Sequence, residues 1–423
     1  MGIGSVGTGG GLREVRGLAL LFGAIYFIQG VGEPGEGLIA QPVRSLLARW
    51  GHSPGEIAAF SAILSLPWVL KPLYGLLSDF VPWAGSRRRS YLLAASAATT
   101  FALLYLYLDP PGPGSYQRLL LILLLPTLGI AFSDVVADAL MVEKGQPRGI
   151  TGQLQSVQWG ALYGATIVTG YLGGYLSEHH LQALGFLICA TMTAGTGVLA
   201  FLFVREEPIE RAPHGARDAW QAIATTLRSR AVWGAAAFLF LWNFNPFSSA
   251  VLYLHMTRVM GLGEQFYGNT VSLLAVAAVA ASMAYLFYCR RIAFHHLVHG
   301  AIVAGIASTL AYWALTDETS ALSITVFAGF TYMTGTLIQL DLAARSCPLQ
   351  SAGTTFALLM AVSNLGYAAS TAIGGHLYET WLASMGEQGA FDALVAVGAL
   401  CTCACWLTLP WLRWQAAEPG AGA

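Results

Sequence analysis

The residues in this sequence that can do chemistry are charges set among apolar neighbours. Lys71 lies in PWVLKPLYGLLSD, two residues after Val69 and eight before Asp79. Eight helical residues rise about 12 Å, so an ammonium at Lys71 is deep inside any bilayer this helix crosses. A charge there is costly and needs a partner or a purpose. Asp134 and Asp138 stand in FSDVVADALMVEK, and their i, i+4 spacing places both on one helix face. Asp134 is nine residues before Glu143, so Lys71 and Asp134 reach similar depth if their helices run in the same direction. A cluster of Lys71, Asp134 and Asp138 is expected. It reads either as a substrate or proton site, since a carboxylate in low dielectric loads and releases a proton, or as an ion pair that locks helices together.

Glu33 and Glu36 lie in QGVGEPGEG. The glycines and Pro34 predict a broken helix, a form tolerated at membrane depth where it lines a cavity. The pair reads as a cation, amine or proton contact, or as two solvated acids where the helix ends early. Asp341 and Arg345 are again i, i+4 and are expected to pair within one helix at an inner gate. Asn243, Asn245 and Asn364, with Gln29, Gln155, Gln158 and Gln339, are neutral polar groups on otherwise apolar runs. Such groups line a pathway or hydrogen-bond between helices. Trp68, Trp159 and Trp242 are able to stack on a flat ring, although tryptophans in membranes mostly pack or sit at interfaces.

The elements that position these residues follow from composition. Of 423 residues, 56% are hydrophobic and only 10% charged, against about 25% charged in soluble domains. The chain is therefore read as a polytopic membrane protein in a lipid bilayer. A net charge of −1 gives no reason to expect a nucleic-acid partner. Twelve apolar runs are long enough to span, centred on 17–41, 56–78, 90–108, 117–142, 151–176, 181–204, 231–257, 266–289, 296–316, 320–344, 351–378 and 389–412. The glycine-rich start shows no cleavable signal pattern, so the first run is expected to stay as a membrane helix. With both termini inside, sixteen of the 21 basic residues fall on the cytoplasmic side, including Arg87, Arg88 and Arg89, while Arg44, Arg49, Arg118 and Arg258 fall outside. That bias fits the positive-inside rule.

The long polar stretch 205–230 divides the chain into an amino-terminal bundle, 1–204, and a carboxy-terminal bundle, 231–423. The halves repeat at an offset of 201 residues. Lys144 falls on Arg345, Pro147 on Pro348, Gly152 on Gly353, Gly173 and Gly174 on Gly374 and Gly375, and Glu178 on Glu379. Two parallel six-helix repeats with substrate bound between them are the major facilitator architecture, so the expected fold is all-α, with twelve membrane helices in two pseudo-symmetric bundles. There is no GxxxxGK[ST] and no nucleophile elbow, which argues against ATP hydrolysis and against an enzyme. The six cysteines lie in or beside apolar runs, His179 with His180 and His295 with His296 at loop edges. No metal, cofactor or disulfide is expected.

Four stretches resemble the folate–biopterin transporter family of the major facilitator superfamily. They are YFIQG, PWVLKPLYGLLSD with its RRRSY tail, SDVVADALMVE, and LAARSCP with GTTFALLMAVSNLG; WNFNP is a weaker fifth. The resemblance implies that Lys71, Asp134 and Asp138 belong to a shared core. It also implies that Asp79 with Arg87, Arg88 and Arg89 forms a cytoplasmic gate latch, and that transport is proton-linked. Glu33 and Glu36 depart from the family pattern. The sequence is thus read as a proton-coupled symporter, monomeric, in a bacterial inner membrane, moving folate, a pterin or a related solute by alternating access. Because two carboxylates on a pathway repel an anion, the competing cargoes are an amino acid, a peptidoglycan fragment, or a metal or metal chelate. A non-transporting sensor is the remaining alternative.

Overall fold

The computed structural model describes residues 8–206, 229–289, 291–347 and 352–412. The polar linker at 207–228 and the arginines within it, with Arg290, Pro348 and Arg413, lie outside the described residues. Everything described is helix, turn or loop, apart from an isolated bridge between Trp83 and Ser86.

Helix α1, Thr8–Gly32, stops where Pro34 removes a backbone donor and biases Glu33 away from helix. The broken segment is tightly bonded: Gly37 N–H donates to the Glu33 carbonyl at 2.8 Å and Leu38 N–H to the Val31 carbonyl at 2.9 Å. A side chain at Gly37 would sit within 2.8 Å of three carbonyl oxygens, so only glycine fits this turn. A short helix α2, Ala40–Arg49, follows. Helix α3, Pro54–Ser65, continues through a 3₁₀ turn, Leu66–Leu70, into α4, Lys71–Phe80. Pro67 and Pro72 account for the 3₁₀ turn, since neither supplies a donor to an α-helical ladder. Lys71 thus starts the second piece of a broken span.

Helices α5, Arg89–Leu108, α6, Tyr116–Gly145, α7, Thr151–Glu178, and α8, Gln182–Phe203, complete the first run. After the linker come α9, Arg230–Asn243, and α10, Ser249–Leu254, separated by the WNFNP break, with a π-turn at His255–Val259. Then follow α11, Glu264–Tyr288, α12, Phe294–Leu310, α13, Glu318–Ser346, and α14, Ala352–Ala404. Asp317 and Ser320 form a reciprocal cap on α13. Gly386, at φ 71°, interrupts α14, and a 3₁₀ segment, Cys405–Trp411, extends it.

Nine helical spans among the described residues are long and apolar enough to cross a bilayer. The difference from the expected twelve has three local causes. The polar residues of α7 lower its hydropathy, the WNFNP break divides 231–257 into α9 and α10, and the last two expected runs are two helices that meet at Gly386 without a gap and so count as one continuous stretch. Large apolar side chains such as Leu20, Phe101, Leu121, Leu286 and Leu407 are exposed along the helices, as hydrocarbon solvent allows and water does not.

The chain packs as two compact units. One comprises Met1–Ser53, Leu73–Ala212 and Met256–Val276. Its core includes Phe22, Ile25, Tyr26, Leu92, Val136 and Leu140. The other comprises Pro54–Pro72, Pro213–His255 and Ala277–Ala423, with Phe238, Leu239, Val298, Ile302, Ile338 and Leu342 in its core.

Candidate functional site

Of the three consecutive arginines, Arg88 is the one turned inward. Its side chain is 5% exposed. One terminal nitrogen donates to Asp79 at 2.6 Å and to Glu143 at 2.8 Å. Its Nε reaches Glu143 at 3.2 Å and its other terminal nitrogen donates to the Ser78 hydroxyl at 2.7 Å. Charge-assisted bonds of this kind are the strong ones. The tight turn before it, with Ala84 and Gly85 both at positive φ, brings the start of α5 back onto the ends of α4 and α6.

Glu206 joins this cluster from the backbone side. Its carboxylate accepts the N–H groups of Arg88 at 2.9 Å and Arg89 at 3.0 Å, together with the Ser86 hydroxyl. It therefore caps α5, where backbone donors are otherwise unsatisfied and negative charge is favoured. Partial burial pushes the Glu206 carboxyl up, but these donors and the Arg88 charge outweigh it and hold the group below its ordinary value. Arg89 donates to the Phe201 carbonyl at 2.7 Å and lies over the Phe201 ring. Arg87 has no ion pair among the described residues. The expected association of Asp79 with the arginine run is present through Arg88. Sequence reasoning missed Glu143 and Glu206 as its other members.

Within the same unit Asp138 is held by two neighbours from separate helices. The Tyr26 hydroxyl donates to it at 2.5 Å and the Gln158 amide at 2.9 Å, tying α6 to α1 and α7. Asp134, one turn earlier, is 7% exposed. Lys71 belongs to the other unit. There its ammonium stands 4.7 Å from the centre of the Trp68 ring, and the Asn364 amide donates to the Trp68 carbonyl at 3.0 Å. A cation over an aromatic face is favourable wherever water is scarce.

Glu33 is buried at the α1 break and its carboxylate accepts the Glu36 N–H. Glu36 is exposed and pairs with the buried Arg44 at 3.5 Å. Arg44 also donates to the Gly35 carbonyl at 2.9 Å. The acidic pair therefore stands beside a guanidinium that its own loop binds.

Beyond the break, α2 presents further groups to the first turn of α11. Gln41 donates to the Glu264 carbonyl at 2.7 Å and Ser45 to its carboxylate at 2.6 Å. Glu178, at the end of α7, accepts the Gln265 N–H at 2.8 Å. Gly174 allows this approach, since a Cβ there would lie 3.1 Å from the backbone of Gln265 and Gly268. The repeat-related residues do the same in the other unit. A Cβ on Gly375 would lie 2.1 Å from the Cβ of Ala58, and the Glu379 carboxylate lies against Gly55 in the first turn of α3. Residues matched by the 201-residue offset thus form two equivalent clasps, each a glycine contact with a carboxylate at a helix start.

The remaining polar residues bond within the second unit. Asn243 donates to Gln339 at 2.9 Å and to the Leu239 carbonyl at 2.9 Å, at the end of α9. Asn245 donates to Thr309 at 3.3 Å and accepts the Phe247 N–H at 3.1 Å, which satisfies the WNFNP break. Asp341 and Arg345 pair within α13 at 3.0 Å, with Arg345 over the Phe294 ring.

Residues 35–419 match the model of the BT1 family. The chain belongs to the BT1 family. It is 30% identical over 413 residues to a folate–biopterin transporter of Synechocystis sp., a match covering 93% of this chain and 80% of that one. It is also 30% identical over 207 residues to a probable folate–biopterin transporter 4 of Arabidopsis thaliana, covering 48% and 41% of the two chains. Among solved structures, the nucleoside transporter NupG superposes with a TM-score of 0.71 at 14% identity, over 93% of this chain and 99% of that one. A D-xylose–proton symporter gives 0.67 at 12% identity, over 95% and 98%. The fold is the major facilitator architecture, and this BT1 chain is a multi-pass membrane transporter and not an enzyme.

Proposed function

We propose that this BT1-family chain is a secondary active transporter that carries a flat pterin-type solute, folate or a relative, by alternating access coupled to protons. The observation that carries the reading is the near full-length match to a folate–biopterin transporter. The residues fit the cargo. Lys71 over Trp68 offers an aromatic plane beside a positive charge, which suits a flat ring bearing a carboxylate. Asp134 and Asp138, buried or half-buried on one face of α6, are the candidate proton carriers, with Tyr26 and Gln158 orienting Asp138. Asn243, Asn245 and Asn364 are further candidates for the pathway.

In this reading the Arg88 cluster, with Arg87 and Arg89 beside it in sequence, closes the cytoplasmic end, and Asp341 and Arg345 are further gate candidates. Both termini lie in the cytoplasm, the membrane is a bacterial inner membrane, and the chain works as a monomer. The positive-inside bias supports that orientation.

A cation or metal chelate is the competing cargo that Glu33 and Glu36 favour. Arg44 beside Glu36 offsets one of the two charges and weakens that reading. A thermal-shift panel of folate, 5-formyl-folate, biopterin, amino acids, muropeptides, divalent metals and iron chelates tests it, because a ligand that binds only the folded state raises the melting temperature. The expected result is a shift with a pterin compound that is lost in Lys71→Ala. A shift with cations or chelates alone, lost in Glu33→Gln, overturns the pterin assignment.

A further inference from the structure

Gln29 lies one helical turn before the α1 break, and its carbonyl accepts the Glu33 N–H at 3.0 Å. Gln29 is 4% exposed, and neither end of its amide has a partner among the described residues. The Thr99 hydroxyl is buried and likewise has no partner among the described residues. Both line one small internal space together with Ser96, Ser133, Thr193 and Thr196, drawn from α1, α5, α6 and α8. Gly129 gives Thr99 its room: a Cβ there would sit 2.3 Å from the hydroxyl.

The space offers about 10 Å³ to the centre of a water-sized sphere, which is the room that one water needs. Its chemistry is mixed. Ser96 donates its hydrogen to the Thr193 carbonyl at 2.5 Å, and Thr193 donates to the Cys189 carbonyl at 2.9 Å. Both hydroxyls have thereby spent their hydrogens and keep lone pairs. Gln29 adds an N–H donor and a carbonyl acceptor. An occupant must therefore donate to hydroxyl oxygens and accept from an amide N–H. Water does both, whereas a bare cation suits the oxygens and repels the N–H.

We propose that this space is a built site for one ordered water, held by Gln29 and Thr99, which ties the last turn of α1 to α5 and α8 at the point where α1 breaks. A buried amide with both ends unmet is costly, and the water removes that cost. It also fixes the side chain one turn before the broken segment that carries Glu33. The site rests on the internal packing of one unit and not on the identity of the cargo.

Radiolytic hydroxyl labelling tests the proposal, because radicals formed from a bound water mark adjacent side chains. Ile28 and Ile130 border the space and are only 8% and 4% exposed. The expected result is clear labelling of both in the wild-type protein and a several-fold loss in Gln29→Leu. Thr99→Val serves as the second variant should Gln29→Leu fail to fold. Absent labelling in the wild type, or labelling unchanged in the folded variants, overturns the site. The thermal midpoint is expected to be the same in sodium and in choline chloride. A sodium-dependent rise that Gln29→Leu abolishes overturns the water in favour of a cation.

Discussion

Stripping Arg88 of its carboxylates, singly and together, probes the Arg88 ion-pair cluster through a difference in burial. The Arg88 side chain is 5% exposed, whereas Asp79 and Glu143 are 47% and 39% exposed. Either acid is therefore replaceable while the other still neutralises the guanidinium and water solvates part of what is lost. Asp79→Asn and Glu143→Gln are each expected to cost about 1 kcal/mol, the scale of a partly exposed pair. The double variant leaves a charge in a place that water barely reaches, with the neutral Ser78 hydroxyl as its remaining side-chain acceptor. Its expected cost is about 3–5 kcal/mol, the range for a buried charge deprived of its partners. The coupling between the two sites is then about 1–3 kcal/mol, well beyond the scatter of independent sites. Equilibrium unfolding in mixed detergent micelles measures it. In an Arg88→Met background the same two changes should be close to neutral. Additivity within about 0.5 kcal/mol would refute the claim that Arg88 is a buried cation shared by two acids.

Further outcomes follow from other contacts. Glu206 binds its proton more weakly in the folded protein than in the unfolded chain, so its stabilisation is present above its ordinary value near 4.5 and is lost as the pH falls below that. Thermal unfolding of the wild type should therefore weaken on acidification more steeply than that of Glu206→Gln, and parallel curves would count against the cap. Tyr26→Phe removes a donor to a carboxylate and should cost about 1.5–3 kcal/mol. That cost should shrink in an Asp138→Asn background, as a double-mutant cycle by unfolding will show. Gly375→Ala places a methyl 2.1 Å from Ala58 and should destabilise by about 1–3 kcal/mol. A neutral result in the same unfolding assay would mean that the α3–α14 contact is looser than described.

Much of the fold was legible because the bilayer imposes simple rules. Apolar runs gave the helices, and Pro34 with its glycines gave the α1 break. The 201-residue repeat gave pairs, Gly174 with Gly375 and Glu178 with Glu379, that prove to occupy equivalent contacts. Local pairs such as Asp341 with Arg345 were legible from i, i+4 spacing alone. The unread parts depend on side chains brought together from distant segments. Nothing local distinguishes Arg88 from Arg87 and Arg89, because the turn at Ala84 and Gly85 decides which of them faces inward. Glu206 is 118 residues from Arg88 and reads as the first acid of a polar linker. Tyr26 and Gln158 meet Asp138 across two other helices, and no spacing rule links them. The break at Gly386 falls in the gap between the expected runs 351–378 and 389–412, where Glu387 and Gln388 follow it.

The most direct test of the central claim is uptake of radiolabelled folate and biopterin into proteoliposomes containing only this protein, with and without an imposed proton gradient. The account predicts saturable uptake of a pterin compound that the gradient accelerates, that a protonophore reduces, and that Asp134→Asn abolishes. Pterin binding without any movement, or uptake indifferent to the gradient and intact in Asp134→Asn, would contradict it.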